Sequence, residues 1–337
     1  MRPKTRWILR LLAVALLLPV LSFGWWAQHP MRLRHAPLEL SVRSGSGARA
    51  AAQQMRAQGL ALSPALFALL ARLSGQATRL QAGNYQIDAG TSPWQLLQRM
   101  ARVGGTLLSL TVPEGWTYAQ VRAALRHAPG LVDDASGLDD AQIMQRIGAP
   151  PGLPAEGWFF PDTYRYAPGS SALALLRRGY HAMQRQLQQA WAGRAPGLPL
   201  RDPEQALTLA SMIERETARA QDRPQVAAVF VNRLRAGMPL QSDPTVVYAL
   251  GARYDGRLHR RDMQVDSPYN TYLHAGLPPS PIALPGAAAL HAALHPASSD
   301  ALYFVARGDG SSAFSVTLRQ HDAAVDRYLV RQGDHAR

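Results

Sequence analysis

The chain contains no cysteine, and its 337 residues include a single lysine, Lys4. The first absence removes disulfides and thiolate nucleophiles but leaves the redox compartment open. The second removes serine–lysine catalysis and the lysine-bearing phosphate loop, because Lys4 precedes the long apolar run near the amino end. Aromatic residues make up only 7%, and no basic-aromatic pattern of the kind that reads bases occurs. The formal net charge of +13 is spread over scattered arginines in an alanine-rich chain, so nucleic acid is not expected as a partner. No repeat at solenoid spacing is visible.

What is present fits a folded protein, with 47% hydrophobic residues and length enough for two modest domains. Trp7 to Ala27 gives 21 residues interrupted only by Arg10, which is near enough to the end to snorkel, and reads as one transmembrane helix. Arg2, Lys4, Arg6 and Arg10 outweigh Arg32 and Arg34, which predicts a cytoplasmic amino end and the bulk outside. A cleaved signal peptide competes, since Leu11 to Phe23 has only the length of a signal core and carries Pro19. Trp25 and Trp26, standing where small residues would mark cleavage, favour a retained anchor with an interfacial aromatic belt.

Beyond the anchor, Leu38 to Arg43 reads as a strand, and Ala48 to Gln58 and Pro64 to Leu73 as helices. Gly83 to Ile87, a helix capped at Thr91 or Ser92 and reaching Val103, and Thr106 to Val112 then form a predicted strand-helix-strand module. Helices follow from Thr117 to His127, Ala141 to Ile147, Ser171 to Ala192, from an Asp202-Pro203 start through Glu216, and Pro224 to Ala236. Asp243 before Pro244 caps a short helix ending at Leu250. Ala301 to Arg307 and Ala313 to Leu318 alternate around Gly308-Asp309-Gly310 as a hairpin, closed by a helix from Gln320 to Val330. Helices with small sheets predict an α+β fold.

One helix carries the chemical question. At about 100° per residue, Leu209, Met212, Ile213 and Ala220 project within roughly 60° of Glu216, while Glu214 points about 160° away. A carboxyl on an apolar face is costly to ionise and can hold a proton near neutrality, whereas Glu214 should sit wet and ionised. Two readings of Glu216 stand on the residues alone: a general acid, or a helix-edge carboxylate paired with Arg219 or Arg223.

That helix runs into ASMIERETARAQDRPQVAAVFVNRLRAGMPLQSDPTVVYALG, from Ala210 to Gly251; EGWFFPDTYRY, Glu156 to Tyr166, precedes it, and NTYLHAGLPPSPIALPG, Asn270 to Gly286, follows. Together they resemble the endolytic murein transglycosylase (MltG, YceG-like) family, in order over about Pro113 to Tyr328. The resemblance implies an enzyme that cuts peptidoglycan glycan strands internally and leaves 1,6-anhydro-N-acetylmuramoyl ends. It implies that Glu216, second glutamate of the E-x-E-T segment, is catalytic, acting as acid and then base while the sugar's own C6 hydroxyl traps the anomeric centre. Arg215, Ser242 and Pro281 depart mildly from the family pattern and remove no carboxylate.

The same resemblance makes the module around AGNYQIDAGTSPWQLLQRM LysM-like, with Tyr85 and Trp94 either sugar platforms or core aromatics. The expected organisation is an anchor over residues 1–30, an N-terminal region with the LysM-like module over 31–128, and a mixed α+β catalytic domain over 129–337. The expected place is the bacterial inner membrane, single-pass, with the catalytic domain periplasmic and peptidoglycan synthases among its expected partners. Asn232, Gln241, Asp243, Tyr269, Asn270 and Tyr272 are the expected sugar-binding residues; Asp243, Asp162 and Glu156 are candidates for an assisting carboxylate. No cofactor and no metal are expected, since His291 and His295 have helical metal spacing without a third ligand. Two rivals are a hydrolytic muramidase, needing a second carboxylate about 5 to 9.5 Å from Glu216, and a noncatalytic wall-binding scaffold.

Overall fold

The computed structural model describes residues 17–31, 33, 38–43, 45–81, 83–102, 108–166 and 168–330, in an α+β fold. The chain divides into two compact units, residues 1–108 with 166–168, and residues 109–165 with 169–337.

In the first unit, helix α1 covers residues 17–28. Residues 7–16 of the predicted span, with its basic flank, lie outside the described residues. No helix among the described residues is long and apolar enough to cross a membrane. Leu17, Leu18, Val20, Leu21 and Trp25 of α1 are nevertheless exposed, whereas Ala27 is buried and Phe23 and Trp26 pack on the unit's core.

Strand β1 (Leu38–Val42) and β2 (Gly83–Ile87) pair antiparallel, Leu38 opposite Ile87 and Val42 opposite Gly83. Helices α2 (Ala48–Ala57), α3 (Pro64–Leu73) and α4 (Pro93–Arg102) complete the unit. Ser92 caps α4 reciprocally with Gln95, as its position before Pro93 predicts. Leu40, Met55, Phe67, Ile87, Leu96, Leu97 and Met100 are fully buried together, with Tyr85 in the core and Trp94 packed against it. The predicted strand-helix-strand module is corrected here: β2 takes β1 as its partner, and β3 (Leu108–Thr111) pairs with β4 (Thr163–Tyr166). Alternation identifies a strand but carries no information about which distant strand completes its hydrogen bonds.

The second unit is mostly helical: α5 (Tyr118–Arg126), α6 (Asp140–Ile147), α7 (Ala172–Ala192), α8 (Pro203–Glu216), α9 (Arg223–Arg235), α10 (Asp243–Leu250), α11 (Ala287–Leu294) and α12 (Leu318–Val325). Strands β5 (Tyr303–Ala306) and β6 (Ser312–Ser315) form the predicted hairpin. Helix α8 is the axis of this unit. Asp202 accepts from the Gln205 N–H at 2.8 Å and Pro203 occupies the first turn, so its start is fixed as the sequence predicts. From Ala206 to Ile213 every residue is buried, because α7, α9, α10 and α11 pack around it. The alanine-rich α11 lets its backbone approach α8 closely.

Candidate active site

The site forms where α8 stops. Thr217 is already extended, with φ −144° and ψ 128°, so Glu216 is the last helical residue and Ala220 is exposed beyond the helix. The apolar face therefore comes from Leu209, Met212 and Ile213, all fully buried, without Ala220.

Segment 281–286 grips the helix end. The Ile282 N–H donates to Ser211 Oγ at 3.0 Å, and the Gly286 N–H donates to Glu214 Oε2 at 2.9 Å. Turn 113–116 locks on from the other side: Gly115 N–H donates to the Leu284 carbonyl, Leu284 N–H to the Trp116 carbonyl, and Arg215 Nη1 to the Gly115 carbonyl at 3.2 Å. Two glycines stand at close approaches here, and Gly157 is sterically required, since it combines a positive φ with the rigid Pro281 ring, whereas a side chain at Gly286 would have to displace the flexible Glu114 carboxylate. A Cβ on Gly286 would lie 1.8 Å from Glu114 Oε1, and one on Gly157, at φ +85°, would lie 2.3 Å from Pro281 Cβ. The sequence segments that carried the resemblance thus converge on one helix terminus.

The two glutamates differ, but not as the 100° spacing along the helix predicts. Glu214 is not wet: its side chain is 4% exposed, and Oε1 accepts from Arg223 Nη2 at 2.9 Å. Burial pushes its carboxyl above the ordinary range, while the Gly286 N–H and the Arg223 guanidinium pull against that shift. Glu114, 3.7 Å from Arg223, adds a second carboxylate to the cluster. The correction has a plain cause, since Arg223 and Gly286 reach Glu214 from other elements and a helical wheel sees only its own helix.

Glu216 has a thinner set of partners. Ser242 Oγ donates to its Oε2 at 2.8 Å. Burial raises its pKa from an ordinary 4.5 to about 7; the Ser242 bond opposes the rise, the Asp243 charge adds to it, and Arg233 opposes it. Helix α10 follows Ser242, yet the serine makes no side-chain cap bond to that helix, because its hydroxyl is turned to Glu216.

Ser242 is itself fixed. It is buried with Thr245 and Thr271; its N–H donates to Thr271 Oγ1 at 3.0 Å, and its carbonyl accepts from Thr245 Oγ1 at 2.6 Å. Before it, Gln241 has φ +51°, the one positive φ outside glycine among the described residues. Arg233 Nη1 donates to Gln241 Oε1 at 3.1 Å. Tyr272 donates to Asp243 Oδ1 at 2.6 Å, and the charges of Asp243 and Glu216 both push the phenol's pKa upward after burial.

Of the expected sugar-binding residues, Gln241, Asp243 and Tyr272 therefore gather around Glu216. The others hold the frame. Asn270 is fully buried and gives its amide hydrogens to the Met263 and Val265 carbonyls. Asn232 gives its own to Ser299 and Ala301. Tyr269 bonds Ser280 at 2.6 Å and lies against Tyr248, with ring centroids 4.8 Å apart. Among the candidate assisting carboxylates, Asp162 accepts from its neighbouring Thr163 N–H. Glu156 is buried, accepts from the Tyr118 N–H at 2.9 Å and the Tyr248 hydroxyl at 3.4 Å, and is raised by burial to about 7. His295 donates its Nε2–H to the Gly193 carbonyl at 2.9 Å.

Two members of the site escape a reading by residue type. Ser242 looks like an ordinary cap before Asp243-Pro244, and Arg233 looks like a surface residue of α9. The available signal for Arg233 is its position one turn after Val229 and Phe230, on a helix whose residues 226–231 are all buried.

The chain is similar to known proteins over most of its length. It is 30% identical over 313 residues to a Bacillus subtilis protein named endolytic murein transglycosylase, covering 88% of this chain and 86% of the relative. A protein of the same name from Streptococcus pneumoniae is 28% identical over 324 residues, which is 86% of this chain and 58% of that relative. A crystal structure of a yceG-like protein from Listeria monocytogenes superposes with a TM-score of 0.52 at 27% identity, over 85% of this chain and 97% of that one. The YceG-like family model matches residues 40–327, a stretch that includes α8, Ser242 and the gripping segment 281–286. The chain belongs to the YceG-like family.

Proposed function

We propose that this protein is an endolytic lytic transglycosylase of peptidoglycan, cleaving MurNAc–GlcNAc bonds within glycan strands and leaving 1,6-anhydro-MurNAc ends. The carrying observation is Glu216: a half-buried carboxyl at the end of a rigid helix, its pKa raised to about 7 and its position set by one hydroxyl at 2.8 Å. Protonated, Glu216 gives its proton to the glycosidic oxygen as the bond to C1 breaks. Ionised, it takes the proton of the C6 hydroxyl as that oxygen bonds to C1. The acid ends protonated as it began, and no water, metal or organic cofactor is consumed. Holding nucleophile and anomeric carbon in one sugar supplies effective concentration without a second protein group.

Gln241, Asp243 and Tyr272 form the sugar-facing wall in this reading, while Asn232, Tyr269 and Asn270 keep that wall in place. Residues 1–30 anchor the chain in the inner membrane by a single pass, with a cytoplasmic amino end. The apolar exposure of α1 and the positive flank before it support this topology. Residues 31–128 carry the module built on the β1–β2 pair, which in this reading is LysM-like and faces glycan, and residues 129–337 act in the periplasm beside peptidoglycan synthases.

Digestion of uncrosslinked glycan in ¹⁸O-labelled water tests the reaction. Unlabelled anhydro ends, lighter by one water than hydrolysed ends, are expected. Reducing ends carrying ¹⁸O as the main product would instead make the protein a hydrolytic muramidase with Asp243, one residue from Ser242, as its second carboxylate. No product of either kind from folded protein on several glycans would leave a wall-binding scaffold.

A further inference from the structure

Arg233 is 7% exposed and forms no ion pair among the described residues. Its guanidinium is used on one loop and on the segment that leads into β5. Nη1 donates to the Pro239 carbonyl at 3.2 Å, the Leu240 carbonyl at 2.9 Å and Gln241 Oε1 at 3.1 Å; Nε donates to the Leu302 carbonyl at 2.7 Å. The group also lies over the Tyr303 ring, 5.2 Å from its centroid. A buried arginine usually faces a carboxylate. This one instead clamps three consecutive residues, the last of which holds the positive φ described above and leads directly into Ser242. From the opposite side, Thr271 receives the Gln241 and Ser242 N–H groups at 3.0 Å each.

We propose that Arg233 is the positioning residue of the site: its guanidinium holds loop 239–241 in the strained backbone that presents the Ser242 hydroxyl to Glu216. The inference rests on Glu216 being the acid. Arg233 does not touch the reacting atoms; its charge lowers the Glu216 pKa from a distance, against Asp243, and Arg233→Lys keeps that charge, so what the variant removes is the hold on Gln241 and Ser242. A planar fork is needed, because the Nε and Nη1 bonds run to two different chain segments, and a lysine ammonium at the same place has neither the fork nor the reach to serve both.

The test is a double-mutant cycle on the full-length chain in detergent, with Arg233→Lys, Ser242→Ala and both together. Arg233→Lys is expected to lower kcat about tenfold with KM changed less than about threefold, and to move the alkaline limb of the pH profile upward, as Ser242→Ala does. The double variant should be within about twofold of the poorer single variant. Losses that multiply, or an unmoved limb in a folded Arg233→Lys protein, overturn the proposal. Should Arg233→Lys not fold, Gln241→Leu cuts the same link with the arginine in place and takes its position in the cycle, read on the alkaline limb and on the coupling with Ser242→Ala rather than on KM, because Gln241 also faces the sugar; an unmoved limb or losses that multiply again overturn the proposal.

Carbon-13 NMR of glutamate-labelled protein reads the cycle without activity. The Glu216 carboxyl should titrate at higher pH in Arg233→Lys, because the donor that stabilises its charge is displaced. An unmoved titration overturns the role of Arg233 even where Glu216→Gln is inactive. A fully active Glu216→Gln overturns the acid alone, since the titration still reports whether the arginine sets the loop.

Discussion

On one flank of the last turn of α8, Glu214 has a guanidinium and an amide N–H, each at 2.9 Å. On the other flank, two residues on, Glu216 has a single donor among the described residues, a hydroxyl at 2.8 Å. Burial raises the pKa of both carboxyls. What separates them is the number and charge of the donors each receives. A carboxyl enclosed by a cation and a backbone N–H becomes part of the clamp joining α8, turn 113–116 and segment 281–286. A carboxyl given one neutral donor, with a negative neighbour in Asp243, is left able to exchange a proton near pH 7. One helical turn thus supplies both the support and the acid.

The sharpest way to test that division is to neutralise each glutamate. Glu216→Gln should cut turnover on glycan at least about a hundredfold, the lower end of what a general acid contributes, with the fold intact by circular dichroism. Glu214→Gln should cost less than about tenfold in the same assay. Comparable losses from the two would erase the distinction.

Stability should reverse the ranking. Glu214→Gln leaves Arg223 buried against an amide, with Glu114 as its remaining carboxylate at 3.7 Å. Removing one partner of a buried pair costs about 3–5 kcal/mol when nothing replaces it, and Glu114 should reduce this to roughly 2–3 kcal/mol. Urea denaturation at pH 7 measures the difference. An unchanged midpoint would mean that the cluster does not hold the helix end.

How much of this contrast is legible in the sequence depends on how far each cause reaches along the chain. The helix boundaries near Asp202-Pro203, the hairpin around Gly308-Asp309-Gly310 and the cap at Thr117 follow from residues adjacent to the feature they determine. The apolar setting of Glu216 is legible because Leu209, Met212 and Ile213 are on its own helix. The enclosure of Glu214 is not, since Gly286 lies 72 residues away. The pairing of β2 with β1 rather than with a following strand is hidden for the same reason: it is settled between distant segments. Asn232 and Asn270 show a further limit. Residue type says that an amide can bind sugar, but only coordinates show that both hydrogens already go to carbonyls.

The pH dependence of stability probes the acid flank independently of turnover. The folded pKa of Glu216, about 7, lies above the ordinary 4.5 expected for the unfolded chain. Its contribution is therefore fully present below about pH 4.5 and is lost as pH rises through 7. Glu216→Gln has no such loss. Relative to wild type, the variant should gain on the order of 2 kcal/mol between pH 5 and pH 8.5, the shift taken at about 1.4 kcal/mol per unit and reduced for partial exposure. Glu156, also raised to about 7, titrates in both proteins and cancels in the difference. A constant difference across that range would place the Glu216 carboxyl at an ordinary pKa and remove the contrast with a solvated glutamate.

The finest test alters the one donor that Glu216 has among the described residues. The Ser242 hydroxyl stabilises the charged carboxylate and so holds the pKa below what burial alone would set. In Ser242→Ala that restraint is gone. A hydrogen bond to a charged group is worth about 1.5 kcal/mol or more, so the alkaline limb of the kcat/KM profile should move up by roughly one unit. The direction matters more than the size, because a lost cation would move the limb the same way whereas a lost anion would move it down. On the acid side of the limb, where Glu216 is already protonated, Ser242→Ala should still be slower, by about three- to tenfold. The proton donor is no longer oriented, and the carboxylate that must later accept the C6 proton has lost its fixed position. Ser242→Thr keeps a hydroxyl on the same atom and should stay within about twofold of wild type with its limb in place. If alanine and threonine behave alike, the hydroxyl is not what orients the acid, and the difference between the two flanks of α8 would have to rest on Glu214's partners alone.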